Sequence, residues 1–504
     1  MSTASLTVEQ TAVSTRADGA LRRIFSFPVM LASILVVLAV LTVRFRFDDP
    51  DMWWHLKTGE VIWTTHSIPT TDHFSYTTNH HAVVPQEWLS QVLIYGAYRF
   101  GGYSGLMLWM CFFTSALLIA GYALCSLYSG NAKVGWVGAL LIWFFATVGY
   151  AVRPQMVGYF LLTIELLILH FGRTRSPRWF LLLPPWFLIW VNCHGSFSFG
   201  IGVAGLIFLC SFFNFQMGSL EATRWDRRRS LILGLALVAS TAALFVNPVG
   251  IKLIKYPLDV MLHLPINLTS VEEWKPLQMN TPRGIGLLGI CACIFLLVIV
   301  QRSKLLWHEL VLLAAGTWFA VHHERMTFVF GLLAAPTMAR LLSTAWENYQ
   351  AEKDRWLPNA VIITLSLLTI IWEFPSRHFM EQQAEDSSPV KAVEFMKVHH
   401  LSGNMFNEYV YGGYLIWAAP ENQVFIDGRG DIFEWTGVLG DYGKLVTLDG
   451  DPNVVLDKYK IDFCLLSKDE SAARILPLLH GWNAVYSDKI SVILARSSVS
   501  SSHL

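Results

Sequence analysis

"RFRFDDPDMWWHLKTGE", residues 44–60, sets three carboxylates, two indoles and an imidazole directly behind an unbroken apolar run. That run, residues 27–43, carries no charge and has the length of a membrane span. The composition agrees: the 504-residue chain is 54% hydrophobic and 15% charged, where a soluble domain carries about 25% charged residues. Its 20 tryptophans and 32 phenylalanines suit lipid contact and the aromatic belts of membrane interfaces. Lys+Arg and Asp+Glu balance at 37 each, so no overall field favours nucleic acid. The 7 cysteines form no CxxC pair and read as small buried hydrophobes.

Working outward, apolar stretches recur near 27–43, 103–128, 134–150, 154–171, 179–193, 195–215, 230–247, 284–300, 305–321, 326–342 and 357–373. The reading is a multi-pass α-helical membrane protein of about eleven spans. Residues 1–26 form a polar cytoplasmic tail, 27–373 a transmembrane helical domain with a large loop at 44–102, and 374–388 a linker. Residues 389–497 form a small α/β domain, and 498–504 a disordered Ser-rich tail. "MWWHLKTGEVIWTTH" and "QEWLSQVLIYGAYRF" predict helices lying in the interface plane. "PVKAVEFMKVHH" predicts a helix of the C-terminal domain, and "NQVFIDGR", "IDFCLLS" and "ISVILAR" predict strands. Arg173, Arg175, Arg178, Arg224, Arg227, Arg228, Arg229, Arg302 and Lys304 all fall in alternate loops. The positive-inside rule makes those loops cytoplasmic. It puts loop 44–102 and the C-terminal domain on the exoplasmic side.

With that topology the unusual polar residues gather on one face. Asp48, Asp49, Asp51 and His55 follow the first span; Arg153 and Gln155 join the third and fourth. Asn192 and His194 join the fifth and sixth, and Glu272 and Glu273 precede the eighth. His322, His323, Glu324 and Arg325 join the ninth and tenth. A solvated helix end or ordinary loop polarity accounts for any one of these groups alone. Asp51 and His55, four apart, share a helical face, and Asp49-Pro50-Asp51 has the oxygen-ligand chemistry of a hard divalent cation such as Mg or Mn. Arg325 is the sharpest phosphate candidate, because a guanidinium binds phosphate through a planar fork. Glu165 and His170 lie inside a span, away from the rest, and predict buried pairing. "DGRGD", residues 427–431, reads as a binding loop at a strand end.

"FDDPDMWWHLKTGE" after the first span, with interfacial helices behind it, resembles the first outer loop of GT-C membrane glycosyltransferases. "EYVYGGYLIW" and "VFIDGR" resemble the exoplasmic domain of the oligosaccharyltransferase members of that superfamily, whose Asp-Pro followed by aromatics is similar to Asp49-Pro50 ahead of Trp53-Trp54. The resemblance implies transfer of a sugar from a polyprenyl-phosphate or pyrophosphate carrier to an exoplasmic acceptor, in a bacterial cytoplasmic (inner) membrane. It implies a catalytic or metal-binding role for Asp49 and Asp51. His55, Arg153, His194 and Arg325 are then the substrate-binding candidates, and a lipid-linked sugar and membrane lipids the partners. The WWDYG peptide-recognition motif is absent. Two other classes remain open at this level. One is a transporter or flippase for lipid or polysaccharide, which would place its ionisable groups near the bilayer midplane. The other is a non-catalytic membrane assembly protein.

Overall fold

The computed structural model describes residues 21–266, 272–344, 346–347 and 349–497. Most of the N-terminal tail and the whole 498–504 tail lie outside the described residues. Every stretch read as a span is helical: α1 Phe27–Val43, the second part of α3 Trp88–Ser129, α4 Ala132–Ala146, α5 Gln155–Thr174, α6 Leu183–Cys193 and α7 Phe197–Cys210, then α8 Arg227–Ala243, α10 Pro282–Val300, α11 Trp307–His322, α12 Thr327–Leu341 and α13 Trp356–Glu373. Among the described residues 5 helices are long and apolar enough to cross a membrane, and α1 and α7 are apolar but shorter. The expected interfacial helix "QEWLSQVLIYGAYRF", residues 86–100, begins at Trp88 and is continuous with the span behind it. The two are joined at Gly102, whose φ of 56° only glycine adopts at low cost.

Two further helices stand outside the expected spans and matter to the site. α2, Asp51–Thr65, follows α1, and α9, Ile251–His263, precedes α10. The sequence reading places the aspartates directly behind the first span. In the structure α1 ends at Val43, and Asp51 begins α2, with Asp49 accepting the Asp51 backbone N–H at 2.9 Å. The carboxylates therefore sit at a helix N-terminus, where the dipole favours them.

The helical bundle has two unlike ends. One gathers the basic loops around a small sheet of β1 Phe215–Met217, β2 Leu220–Ala222 and β3 Leu305–Leu306. The other gathers Asp49, Arg153, His194 and Arg325, and the C-terminal domain closes over it. That domain has a mixed sheet of β4 Met405–Asn407, β5 Phe463–Ser467, β6 Trp482–Ser487 and β7 Ser491–Arg496, in the order β4-β5-β7-β6. β4 runs parallel to β5, Met405 opposite Phe463, and the other pairings are antiparallel. The expected linker is largely helix α14, Arg377–Ser387, and the next helix, α15, is Val390–Val398.

"NQVFIDGR" forms no strand. Val424 makes a single parallel bridge to Ser75 of the first loop, and Thr77 donates to the Phe425 carbonyl at 2.6 Å. Tyr76 and Val83 pack on the C-terminal core. The first loop is thus an integral wall of the C-terminal domain.

Candidate functional site

A cavity of about 570 Å³ opens where the first loop, the bundle and the C-terminal domain meet. Asp51, His55, Arg153, His194, Glu273 and Arg325 all line it. Asp49 does not. Its two oxygens accept from Arg153 Nε at 2.5 Å and Nη2 at 2.8 Å, a closed fork–fork pair. Arg153 Nη1 then reaches Asp51 Oδ2 at 3.1 Å and faces Glu273 Oε1 at 3.9 Å. Arg325 donates to Gln155 Oε1 at 2.6 Å, faces Glu273 Oε2 at 3.7 Å, and lies over the Trp274 ring at 5.3 Å.

Burial pushes the Asp51 carboxyl up to about 6, against the pull of Arg153 in the other direction. A carboxylate so tuned is half neutral in mildly acid solution and a stronger base than a solvated aspartate. Burial opposes the charge on Arg153, but Asp49 and Asp51 outweigh it and hold the guanidinium protonated.

Opposite this charged group sits a second one that the sequence reading does not single out. Glu87, the residue before α3, faces His194 Nε2 at 3.4 Å and His55 Nδ1 at 3.9 Å. The Ser196 backbone N–H donates to His194 Nδ1 at 3.1 Å. The His194 proton is therefore on Nε2, aimed at Glu87. Burial lifts Glu87 to about 7 and draws His194 down to about 3, with Arg325 adding to the fall. Burial, with Arg153, also holds the His55 imidazole well below its ordinary range. Both rings are neutral donors and acceptors at pH 7.

The C-terminal domain supplies the remaining wall through Gly428, Arg429, Gly430 and Asp431. A Cβ on Gly428 would collide with Asp51 Oδ1 and meet Trp54 Nε1 at 3.2 Å, so only glycine lets this loop close on the carboxylate. Arg429 is pinned by Asp427 at 2.5 Å and by Asp72 of the first loop at 2.6 Å. Tyr256, on α9, donates to Asp431.

The remaining candidates fall elsewhere. Asp48 is exposed, and Asn192 accepts from Trp88 Nε1 at 2.8 Å. Glu324 pairs with Arg283 at 2.6 Å, and His322 and His323 each contact a backbone carbonyl at 2.8 Å. Among the described residues Glu165 is fully buried with no hydrogen-bond partner, so its expected pairing is not found. A divalent cation on Asp49 and Asp51 does not fit this arrangement. Three of their four oxygens face the Arg153 cation, and among the described residues no set of three or more His, Cys, Asp or Glu side chains is gathered to hold a metal.

The architecture is GT-C-like: a helical bundle with an acidic first loop and a small α/β domain closing one end. No family model and no curated protein sequence matches the chain. Among solved structures it is similar to the Archaeoglobus fulgidus oligosaccharyltransferase tethered with an acceptor peptide, at 12% identity, TM-score 0.55, over 93% of this chain and 74% of that one. It is similar also to ArnT from Cupriavidus metallidurans bound to undecaprenyl phosphate, at 10% identity, TM-score 0.52, over 92% of this chain and 97% of that one. A third match is AglB from Archaeoglobus fulgidus with an inhibitory peptide and a dolichol-phosphate, at 11% identity, TM-score 0.51, over 86% and 69%.

Proposed function

We propose that the protein is a GT-C-type glycosyltransferase that moves a sugar from a polyprenyl-phosphate or pyrophosphate carrier to an acceptor on the exoplasmic side of a bacterial inner membrane. One observation carries this reading: a carboxylate lifted to about 6 pairs with Arg153 and shares a cavity at the mouth of the bundle with Arg325. Asp51 takes the proton of an acceptor hydroxyl as that oxygen attacks the anomeric carbon. The bond from that carbon to the carrier's phosphate oxygen breaks, and the phosphate leaves as an anion. Arg325 and Arg153 stabilise the charge that develops on it. Asp49 orients Arg153, and Glu273 lies beyond hydrogen-bond distance of both guanidiniums, which leaves them donors for a phosphate. Neutral His55 and His194, with Glu87, supply polar partners for sugar hydroxyls. The lipid phosphates named with AglB and ArnT support such a donor.

Binding of undecaprenyl phosphate to the purified full-length protein, compared with undecaprenol, tests the reading. The phosphate is expected to raise affinity roughly tenfold or more through charge-assisted hydrogen bonds to the arginines. Equal affinity for the two lipids would exclude a lipid-phosphate site and favour an assembly role. Single cysteines at the exposed positions Ser67, Gln216 and Ser471, in a cysteine-free background, test the orientation. An impermeant thiol reagent should label the first and last from outside the cytoplasmic membrane and spare Gln216.

A further inference from the structure

On the flank of the bundle, away from the cavity, a groove of about 380 Å³ runs between α5 and residues 179–189. Every side chain lining it is apolar, among them Ile164, Phe171, Trp179, Leu182, Trp186 and Ile189. Its walls are held rather than loose. The Phe171 and Trp179 rings lie 4.9 Å apart, and Trp186 Nε1 donates to the Leu161 carbonyl at 3.0 Å. From Ile164 to Phe171 the groove follows two helical turns, about 10 Å. That accommodates a run of methylenes.

Its walls Phe171 and Trp179 flank "GRTRSPR", residues 172–178, at the basic end of the bundle. The three arginines there are used differently. Arg173 turns inward, bonds His308 and lies 5.7 Å from the Tyr128 ring. Arg175 and Arg178 are exposed, and neither has a carboxylate partner among the described residues. The Arg175 guanidinium sits 4.6 Å over the ring of Phe171, which is itself a groove wall. An apolar slot with two uncompensated cations at its lip matches an amphiphile with a net negative head. Anionic lipids at a membrane surface attract such exposed arginines.

We propose that this groove binds one anionic membrane phospholipid of the leaflet at the basic end, such as a phosphatidylglycerol. One acyl chain lies along Phe171, Trp179 and Trp186, and the phosphate bridges Arg175 and Arg178. The site is at the opposite end of the bundle from Arg153 and Arg325. It does not depend on the transfer reading.

The test is native mass spectrometry of the full-length protein released from micelles containing equimolar phosphatidylglycerol and phosphatidylcholine. Each arginine near the surface is worth about 1 kcal/mol, about fivefold, toward an anionic head. One phosphatidylglycerol should therefore be retained in at least about fivefold preference. The double variant Arg175→Gln/Arg178→Gln changes two exposed side chains and should lose that preference while keeping its melting temperature. Ile189→Trp, which fills the groove from its exposed wall, should lower retention of both lipids. Equal retention of the two lipids by the unaltered protein would overturn the proposal. So would a phosphatidylglycerol preference that survives the double arginine change.

Discussion

Two ion pairs, one at each end of the bundle, are built from the same parts and come to different ends. At the basic end Arg340 grips Glu309, Nε to Oε1 at 2.6 Å and Nη2 to Oε2 at 2.5 Å. Glu309 Oε2 also accepts the Leu306 N–H at 3.0 Å, and Arg340 donates to the Lys304 carbonyl at 2.9 Å. The bonds from Arg340 Nε and Nη2 are all made within the basic end, and neither residue lines the large cavity. At the roofed end Arg153 grips Asp49 in the same way, yet its third nitrogen is left for Asp51 and the cavity. A guanidinium whose bonds stay among neighbours outside the cavity is structure. One whose third nitrogen reaches a carboxylate that lines the cavity is chemistry.

Three sets of substitutions would break or sharpen that contrast. The largest effect is expected for Asp51→Asn, which keeps shape and removes the base. Sugar transfer to the native acceptor should fall by about two to four orders of magnitude at unchanged protein level. On the proposed reading, transfer by the unaltered protein should gain rate as pH rises through about 6, because the neutral carboxyl present below it cannot accept a proton. Near-normal transfer in Asp51→Asn would move the base to Glu87 or Glu273.

Next comes Arg340→Ala. Leaving Glu309 buried without its partner should cost about 3–5 kcal/mol of stability in thermal unfolding, whereas Glu309→Leu with Arg340→Met should come close to neutral. Transfer per folded molecule should not change in the double variant, and a hundredfold loss there would erase the distinction between the two ends. The smallest effect is expected for Arg325→Lys, which keeps the charge and loses the planar fork. Affinity for undecaprenyl phosphate should drop roughly tenfold. An unchanged affinity would return Arg325 to ordinary loop polarity.

What could be read from the chain follows the range of the interactions involved. Helices are written locally, in apolar runs and their spacing, so each expected span is helical. The gathering of Asp51, His55, Arg153, His194 and Arg325 was legible because loops on one face of a bundle are forced together. Glu87 was not. A lone acid ahead of "WLSQVLIYGAYRF" looks like an interfacial helix start, and only folding brings His55 and His194 to it. The division of labour between Asp49 and Asp51 was equally hidden, since it rests on which one Arg153 encloses. "NQVFIDGR" has a strand's composition, but its main partner is the first loop, and Thr77 and Phe425 lie 348 residues apart. No local pattern records such a pairing.

The closure of Gly428 onto Asp51 also sets an order in time. The ribosome makes Asp51 early, and the membrane helices follow; the glycine that walls it and the Arg429 that clamps Asp72 arrive among the last parts of the chain. Until then the first loop lacks Val424 to bridge Ser75 and the Phe425 carbonyl to accept from Thr77. Closing so long a loop is slow, because its entropy is lost before its contacts form. The mouth of the cavity is therefore the last part of the molecule to mature, and a chain that stalls short of residue 428 has the carboxylate without its wall.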